Sequence, residues 1–287
     1  MIDSVAFIGF GEAGQAFARP GARAFDRKTQ DPAFRAAKLS DYEASGVSGS
    51  DDAAEALAGA AVALSLVTAD QALPAAQSCA AMLDPAALWL DLNSVAPGTK
   101  RAAAQAVEAA GGRYVDVAVM SPVLPARLGV PLLVAGPHAA AGADALSAIG
   151  FTNVSLAGPQ VGDASAIKMI RSVMVKGIEA LSAECILAAR QAGVADAVLA
   201  SLDASWKPQG WETRVDYNLD RMLAHGLRRA AEMEEVVKTL EELGVEPAMT
   251  RGTVVRQRAI GSLGLVPPEG LAAKLDAIED GKGERAA

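Results

Sequence analysis

The hydrophobic rhythm of the chain changes once, near residue 162. Before that point, short runs of β-branched and apolar residues alternate with longer Ala-rich stretches. Residues 5–9, 22–26, 62–67, 88–92, 113–117 and 132–135 read as strands; 51–57, 70–83, 97–110 and 137–149 read as helices, several opening on Asp or Pro. This alternation predicts a mostly parallel sheet with helices on both faces. From 163 to 191 the chain has one glycine, no proline and apolar side chains at helical spacing (Ile167, Ile170, Val173, Ile178, Leu181, Ile186), which predicts one long helix. Helical patterns continue at 196–205, 216–239 and 250–262, with no further strand alternation. The expected fold is α/β: a Rossmann-type doubly wound sheet over 1–162, then an all-α domain over 163–287 entered by the long helix.

Composition narrows the field. The 287 residues are 51% hydrophobic, enough for two well-packed domains. Only the polar, Gly-punctuated tail at 279–285 looks unable to offset its chain entropy. A net charge of -8 without a basic run argues against nucleic acid or an anionic membrane as partner. No apolar run approaches the roughly 18 residues of a membrane span, and Asp3 directly before the first strand leaves no room for a signal peptide, so a cytoplasmic location is expected. Cys79, Cys185, His138 and His225 are too few and too scattered for a disulfide framework or a metal site; both thiols are expected to be buried, and no metal is assigned.

The most informative segment is the turn that leaves the first apolar run, Gly9-Phe10-Gly11-Glu12-Ala13-Gly14. A complete G-x-G-x-x-G that leaves a strand and opens a helix is a dinucleotide-binding fingerprint in its required context. Gly9 permits the tight turn, Gly11 lets a pyrophosphate approach the backbone, and Gly14 allows close packing, while the helix amides face the phosphates. Asp26 closes the next strand at roughly the spacing (~20 residues) where a carboxylate meets the adenosine ribose. Its carboxylate favours NAD, whereas Arg27 or Lys28 suits the 2′-phosphate of NADP, so either cofactor fits, with NAD slightly favoured.

Together with this turn, the segment Gly158-Pro159-Gln160-Val161-Gly162-Asp163-Ala164-Ser165-Ala166-Ile167-Lys168-Met169-Ile170-Arg171-Ser172 and the all-α second half resemble the β-hydroxyacid dehydrogenase family, which includes 6-phosphogluconate and 3-hydroxyisobutyrate dehydrogenases. The resemblance spans most of the chain. It implies that Lys168 is the general acid/base, with Ser172 standing where the family usually has Asn, and Ala164 replacing a Gly. It also implies that Val67 and Thr68 line the dinucleotide and that Asn93 and Ser94, in Leu90-Asp91-Leu92-Asn93-Ser94-Val95-Ala96-Pro97, position the ribose or carboxamide. Asp116-Val117-Ala118-Val119-Met120-Ser121-Pro122 looks like the family's substrate loop. Met120 replaces a substrate-binding Ser and Pro122 a Gly, which departs from the family's usual carboxylate contacts; Ser121, with Asn93, Ser94 and Ser172, is expected to orient the reacting groups.

A physical argument for Lys168 stands beside the resemblance. A partly desolvated lysine near a helix N-terminus and a cationic nicotinamide is drawn toward neutrality, which suits it to take a hydroxyl proton as hydride leaves; a solvated helix charge is the alternative. Lys176, two turns further on, reads as a carboxylate ligand or as a partner of Glu179 or Glu184. His225 and Arg229 read as cleft or structural residues, Trp206 and Trp211 as a lid or as packing aromatics. The expected function is hydride transfer between nicotinamide and a hydroxyl-bearing carbon of a small-molecule substrate, in a homodimer. Two other classes remain open, a carbon–carbon lyase on the same scaffold and a non-catalytic dinucleotide-binding protein.

Overall fold

The computed structural model describes residues 4–205, 208 and 210–286, and the chain divides into two compact units, Met1–Val173 and Met174–Ala287. Eight strands of the first unit form one sheet: β1 Val5–Ile8, β2 Arg23–Phe25, β3 Ser48–Gly49, β4 Val62–Ser65, β5 Leu88–Asp91, β6 Arg113–Val119, β7 Leu132–Ala135 and β8 Val154–Gly158. Their order is β3-β2-β1-β4-β5-β6-β7-β8. All neighbours are parallel except β6 and β7. A parallel sheet must be covered on both faces, and β1 shows how the sequence meets that demand. Val5 and Phe7 join one apolar cluster, Ala6 and Ile8 the other.

The covering helices are α1 Glu12–Phe17, α2 Pro32–Ser45, α3 Ala53–Leu57, α4 Ala72–Cys79, α5 Pro97–Ala109 and α6 Ala139–Ile149. Two strands and one helix escape the sequence pattern. β3 is two exposed residues and β8 alternates poorly. α2 buries only Lys38 and Tyr42, so its helix rests on its ends: Asp31 caps the Ala33 N–H at 2.9 Å, Pro32 stands in the first turn, and Gly46 closes it with φ +67°. The expected helix at 70–83 is α4 flanked by two 3-10 turns. The segment expected to be a substrate loop is largely strand, because β6 continues to Val119, pairing Val117 with Val134 and Val119 with Leu132.

Helix α7, Asp163–Gln191, spans the boundary between the units, and after it come α8 Ala195–Ser205, α9 Trp211–Glu242, α10 Ala248–Gly261 and α11 Leu271–Ala286. No strand lies beyond Asp163 among the described residues. Leu223, Ile260 and Ile278 form the apolar centre of the second unit. Glu184 of α7 caps α10, accepting hydrogen bonds from the Met249 N–H (2.9 Å), the Thr250 N–H (3.0 Å) and the Thr250 hydroxyl. Burial opposes ionisation of this carboxyl, yet those hydrogen bonds outweigh it and hold the group below the usual range.

Two features of the chain differ from the expectation. Residues 279–285, read as a loose tail, continue α11, because Ile278 is buried and Gly281 lies close against Leu263 and Leu265. Cys79 is buried, which pushes its thiol up, but Cys185 is exposed on α7.

The first unit also buries a charge. Lys100 of α5 is fully buried, with its ammonium 3.1 Å from the Asp91 carboxylate and 3.4 Å from that of Asp116, and it donates to the Asp91 carbonyl at 2.5 Å. Asp91 in turn accepts from the Tyr114 hydroxyl at 2.6 Å; burial, and then the Asp91 charge, push that phenol far up. Breaking a buried pair from one side leaves uncompensated charge, so Lys100→Met is expected to destabilise the protein by about 3–5 kcal/mol, read as the loss in urea unfolding. A change within experimental error would show that the cluster contributes no net stability.

Candidate functional site

The strand order reverses between β1 and β4, and a crevice at the carboxyl ends of such strands is where open α/β sheets bind ligands. A cavity of about 570 Å³ lies there, lined by the ends of β1, β2 and β4 and by α4. It brings together Gly9, Gly11, Glu12, Ala13, Asp26, Arg27, Val67 and Thr68 of the residues expected to hold a dinucleotide. Ile8, Phe25, Leu66, Pro74 and Ala75 supply apolar wall.

The glycine turn is built for close approach. Gly9 has φ +87°, and a Cβ there would come within 2.5 Å of the Leu66 carbonyl oxygen. Gly11 differs, since a Cβ there would meet no atom of the described residues within 4 Å. Packing therefore does not require this glycine, whereas a phosphate seated on the backbone would. Gly14 is buried, with Phe10 and the Gly9 carbonyl 3.0–3.1 Å from where its Cβ would lie. The intervening Phe10 backbone is held on both sides: its N–H donates to Asp26 at 2.8 Å and its carbonyl accepts from the Lys38 ammonium at 2.6 Å. Asp41 neutralises Lys38 at 2.6 Å. Sequence reasoning missed Lys38, for a lysine in a weakly amphipathic helix carries no local sign of burial.

Asp26 accepts from the Phe10 N–H and, through its other oxygen, from the Lys28 N–H at 3.0 Å. It thus fixes the glycine turn as well as facing the cavity. Arg27 is oriented by Gln71, whose side-chain oxygen it reaches at 2.7 Å, and Lys28 lies over the Phe34 ring at 5.4 Å. One carboxylate and two cations at this end of the cavity suit the ribose hydroxyls of NAD or the 2′-phosphate of NADP.

The remaining expected residues lie outside the lining of this cavity. Asn93 is buried, and its amide nitrogen donates to Ser65 (2.9 Å) and Asp91 (2.8 Å) while its oxygen accepts from the Val67 N–H (2.7 Å). Both side-chain N–H groups are used, so the residue shapes the wall through Val67. Ser94 is exposed just past β5, the strand beside β4, and accepts a 2.5 Å hydrogen bond from the Lys168 ammonium. The helix that carries Lys168 is anchored at its start: the Gly162 and Ser165 N–H groups both donate to Asp116 at 3.1 Å.

Ser172 donates back to the Lys168 carbonyl at 2.9 Å, and Ser121 to the Pro122 carbonyl at 3.3 Å. Neither hydroxyl meets the Lys168 ammonium or Ser94 through these bonds. His225 is exposed on α9. Trp206 and the side chains of Lys176 and Trp211 lie outside the described residues.

The family model for the NAD binding domain of 6-phosphogluconate dehydrogenase matches residues 4–154, more than half of the chain. A domain of unknown function, DUF1932, matches residues 189–260. No curated protein matches the sequence. Among solved structures, a conserved hypothetical protein from Sinorhizobium meliloti 1021 is 37% identical, covering 98% of this chain and 97% of its own, with a TM-score of 0.60. The conserved protein MTH1747 of unknown function, described as structurally similar to 3-hydroxyacid dehydrogenases, is 26% identical over 97% of this chain and 99% of its own, with a TM-score of 0.58. A Streptomyces aurantiacus imine reductase shares the fold at 21% identity and a TM-score of 0.70, covering 96% of this chain and 99% of its own.

A bulky side chain at Gly11 would project into the open space of the cavity. Gly11→Val is expected to abolish dinucleotide binding in calorimetry while leaving the melting temperature nearly unchanged. Unaltered affinity would mean that the phosphates lie elsewhere.

Proposed function

Because the chain belongs to the dehydrogenase family defined by the NAD binding domain of 6-phosphogluconate dehydrogenase, we propose that it is an oxidoreductase moving a hydride between NAD or NADP and a hydroxyl-bearing carbon of a small organic substrate. The dinucleotide supplies or accepts the hydride. Gly9, Gly11, Glu12, Ala13 and Gly14 form the turn that receives its phosphates, Asp26 and Arg27 meet the adenosine ribose, and Val67 and Thr68 border it where the cavity passes β4. Asn93 acts as a positioning residue, holding Val67.

Lys168 is the proposed general acid/base. The observation that carries this reading is its hydrogen bond to Ser94 at the carboxyl end of the sheet, one strand along from the cavity. An ammonium only donates, so Ser94 accepts from it and keeps its own proton for a substrate oxygen. In reduction Lys168 delivers the proton that converts the nascent alkoxide to an alcohol; in oxidation, once neutral, it removes that proton. Ser172 steadies the backbone at Lys168, and Ser121, which leaves β6 on the same edge of the sheet, contacts substrate.

With an accepted substrate, Lys168→Ala is expected to keep dinucleotide affinity and lose roughly 10²–10⁴-fold in turnover, the contribution of a positioned general acid/base. Lys168→Arg is expected not to restore it, because a guanidinium does not give up its proton. Turnover of Lys168→Ala near the wild-type value would remove the lysine from the mechanism. Cofactor reduction or oxidation monitored at 340 nm in the same assay separates hydride transfer from a lyase reaction, which leaves the dinucleotide unchanged.

We also propose a homodimer. Apolar side chains stay uncovered along α7 and α8: Ile170 is 70% exposed, Leu187 55% and Leu199 49%. Patches of this kind mark interaction surfaces. Light scattering is expected to give twice the 29.3 kDa chain mass at micromolar concentration; a single-chain mass would refute the dimer.

A further inference from the structure

The second unit contains a polar cavity of its own, of about 350 Å³, lined by Tyr217, Asn218, Arg221, Met222, Arg229 and Gln257. Five of these lie on α9 and one on α10, all within the span of the domain of unknown function. The two helices cross at glycines. A Cβ on Gly226 would come within 2.5 Å of the Gln257 carbonyl oxygen and 2.7 Å of Gly261, and one on Gly261 within 2.6 Å of Gly226. This contact presses Gln257 against α9, leaving it 8% exposed.

A buried polar atom without a partner costs free energy, and this cavity has two. The Gln257 side-chain oxygen and Arg229 Nε are both buried, and neither has a hydrogen-bond partner among the described residues. One is an acceptor and the other a donor, so a ligand satisfying both must both donate and accept. Arg221, about two turns before Arg229 and lining the same cavity, adds a second guanidinium. Asp216 and Asp220 on the same helix pair instead with Lys274, at 2.8 and 3.6 Å. The cavity is therefore cationic, with one hydrogen-bond acceptor at its buried side.

We propose that this cavity binds a small carboxylate that also carries a neutral hydrogen-bond donor such as a hydroxyl. The carboxylate sits on Arg229 and Arg221, which match its planar geometry; the hydroxyl donates to the Gln257 oxygen. An ammonium in the donor's place would be repelled by the two guanidiniums. Met222 and the Tyr217 ring give an apolar substituent a surface to lie on. The proposal does not rest on the redox reading, and its test uses no dinucleotide and no turnover.

The experiment is calorimetric titration of the full chain with mandelate and 3-hydroxybutyrate. Phenylacetate, lacking the hydroxyl, methyl mandelate, lacking the carboxylate, and inorganic phosphate are titrated alongside. Saturable binding of a hydroxycarboxylate is expected. Phenylacetate should bind more weakly by roughly 3- to 10-fold, the worth of a neutral hydrogen bond, and methyl mandelate by roughly 10- to 100-fold, the worth of a charge-assisted one.

Arg229→Gln should weaken mandelate as the ester does, and Gln257→Leu should erase its advantage over phenylacetate. Arg221→Gln, at a partly exposed position, provides a second cation variant if Arg229→Gln disturbs folding by circular dichroism. The proposal is overturned if neither hydroxycarboxylate binds, if binding is indifferent to Arg221 and Arg229, or if phosphate binds as tightly and Gln257→Leu changes nothing.

Discussion

The ammonium of Lys100, buried between the carboxylates of Asp91 and Asp116, is the constraint on which the carboxyl ends of β5 and β6 depend. Two carboxylates at adjacent strand positions, paired across β5 and β6, would repel each other without it. With it, each is free to use its remaining oxygen capacity for local work. Asp91 holds Asn93 and Tyr114. Asp116 receives the first amides of α7 and so ties the long helix to the strand. One buried cation thereby fixes where Asn93 meets Val67 and where Lys168 meets Ser94.

The glycine-turn end of the cavity obeys a similar logic at smaller scale. A glycine-rich turn is easily deformed, and the chain restrains it at a single residue, with Asp26 on the Phe10 N–H and Lys38 on its carbonyl. Pre-organisation of this kind reduces the ordering cost of binding. The same carboxylate that lines the cavity thus keeps the turn in place.

Legibility in the sequence tracks locality. The fingerprint from Gly9 to Gly14, the central strands and the start of α7 at Asp163 are written in neighbouring residues and are readable from them. The short β3, the weakly amphipathic α2 and the extension of β6 to Val119 depend on pairing partners far along the chain, so they are not. Lys100 and Lys38 look like solvated helix charges in sequence, because the carboxylates and carbonyls that bury them come from other elements. Asn93 is recognisable as part of a strand-end motif, but its saturation by Ser65, Asp91 and Val67 emerges only in three dimensions. The polar cavity between α9 and α10 depends on the Gly226–Gly261 crossing, for which the sequence offers only two isolated glycines.

The central claim is that a dinucleotide seated on the Gly9–Gly14 turn extends along the ends of β4 and β5 to the Lys168–Ser94 pair. A crystal structure of the protein with NADPH or NADH tests this directly. The account predicts the pyrophosphate against the Gly11 backbone and the nicotinamide ring beside Ser94 and the Lys168 ammonium. A dinucleotide bound with its nicotinamide turned away from that pair, or with its phosphates off the glycine turn, would contradict it.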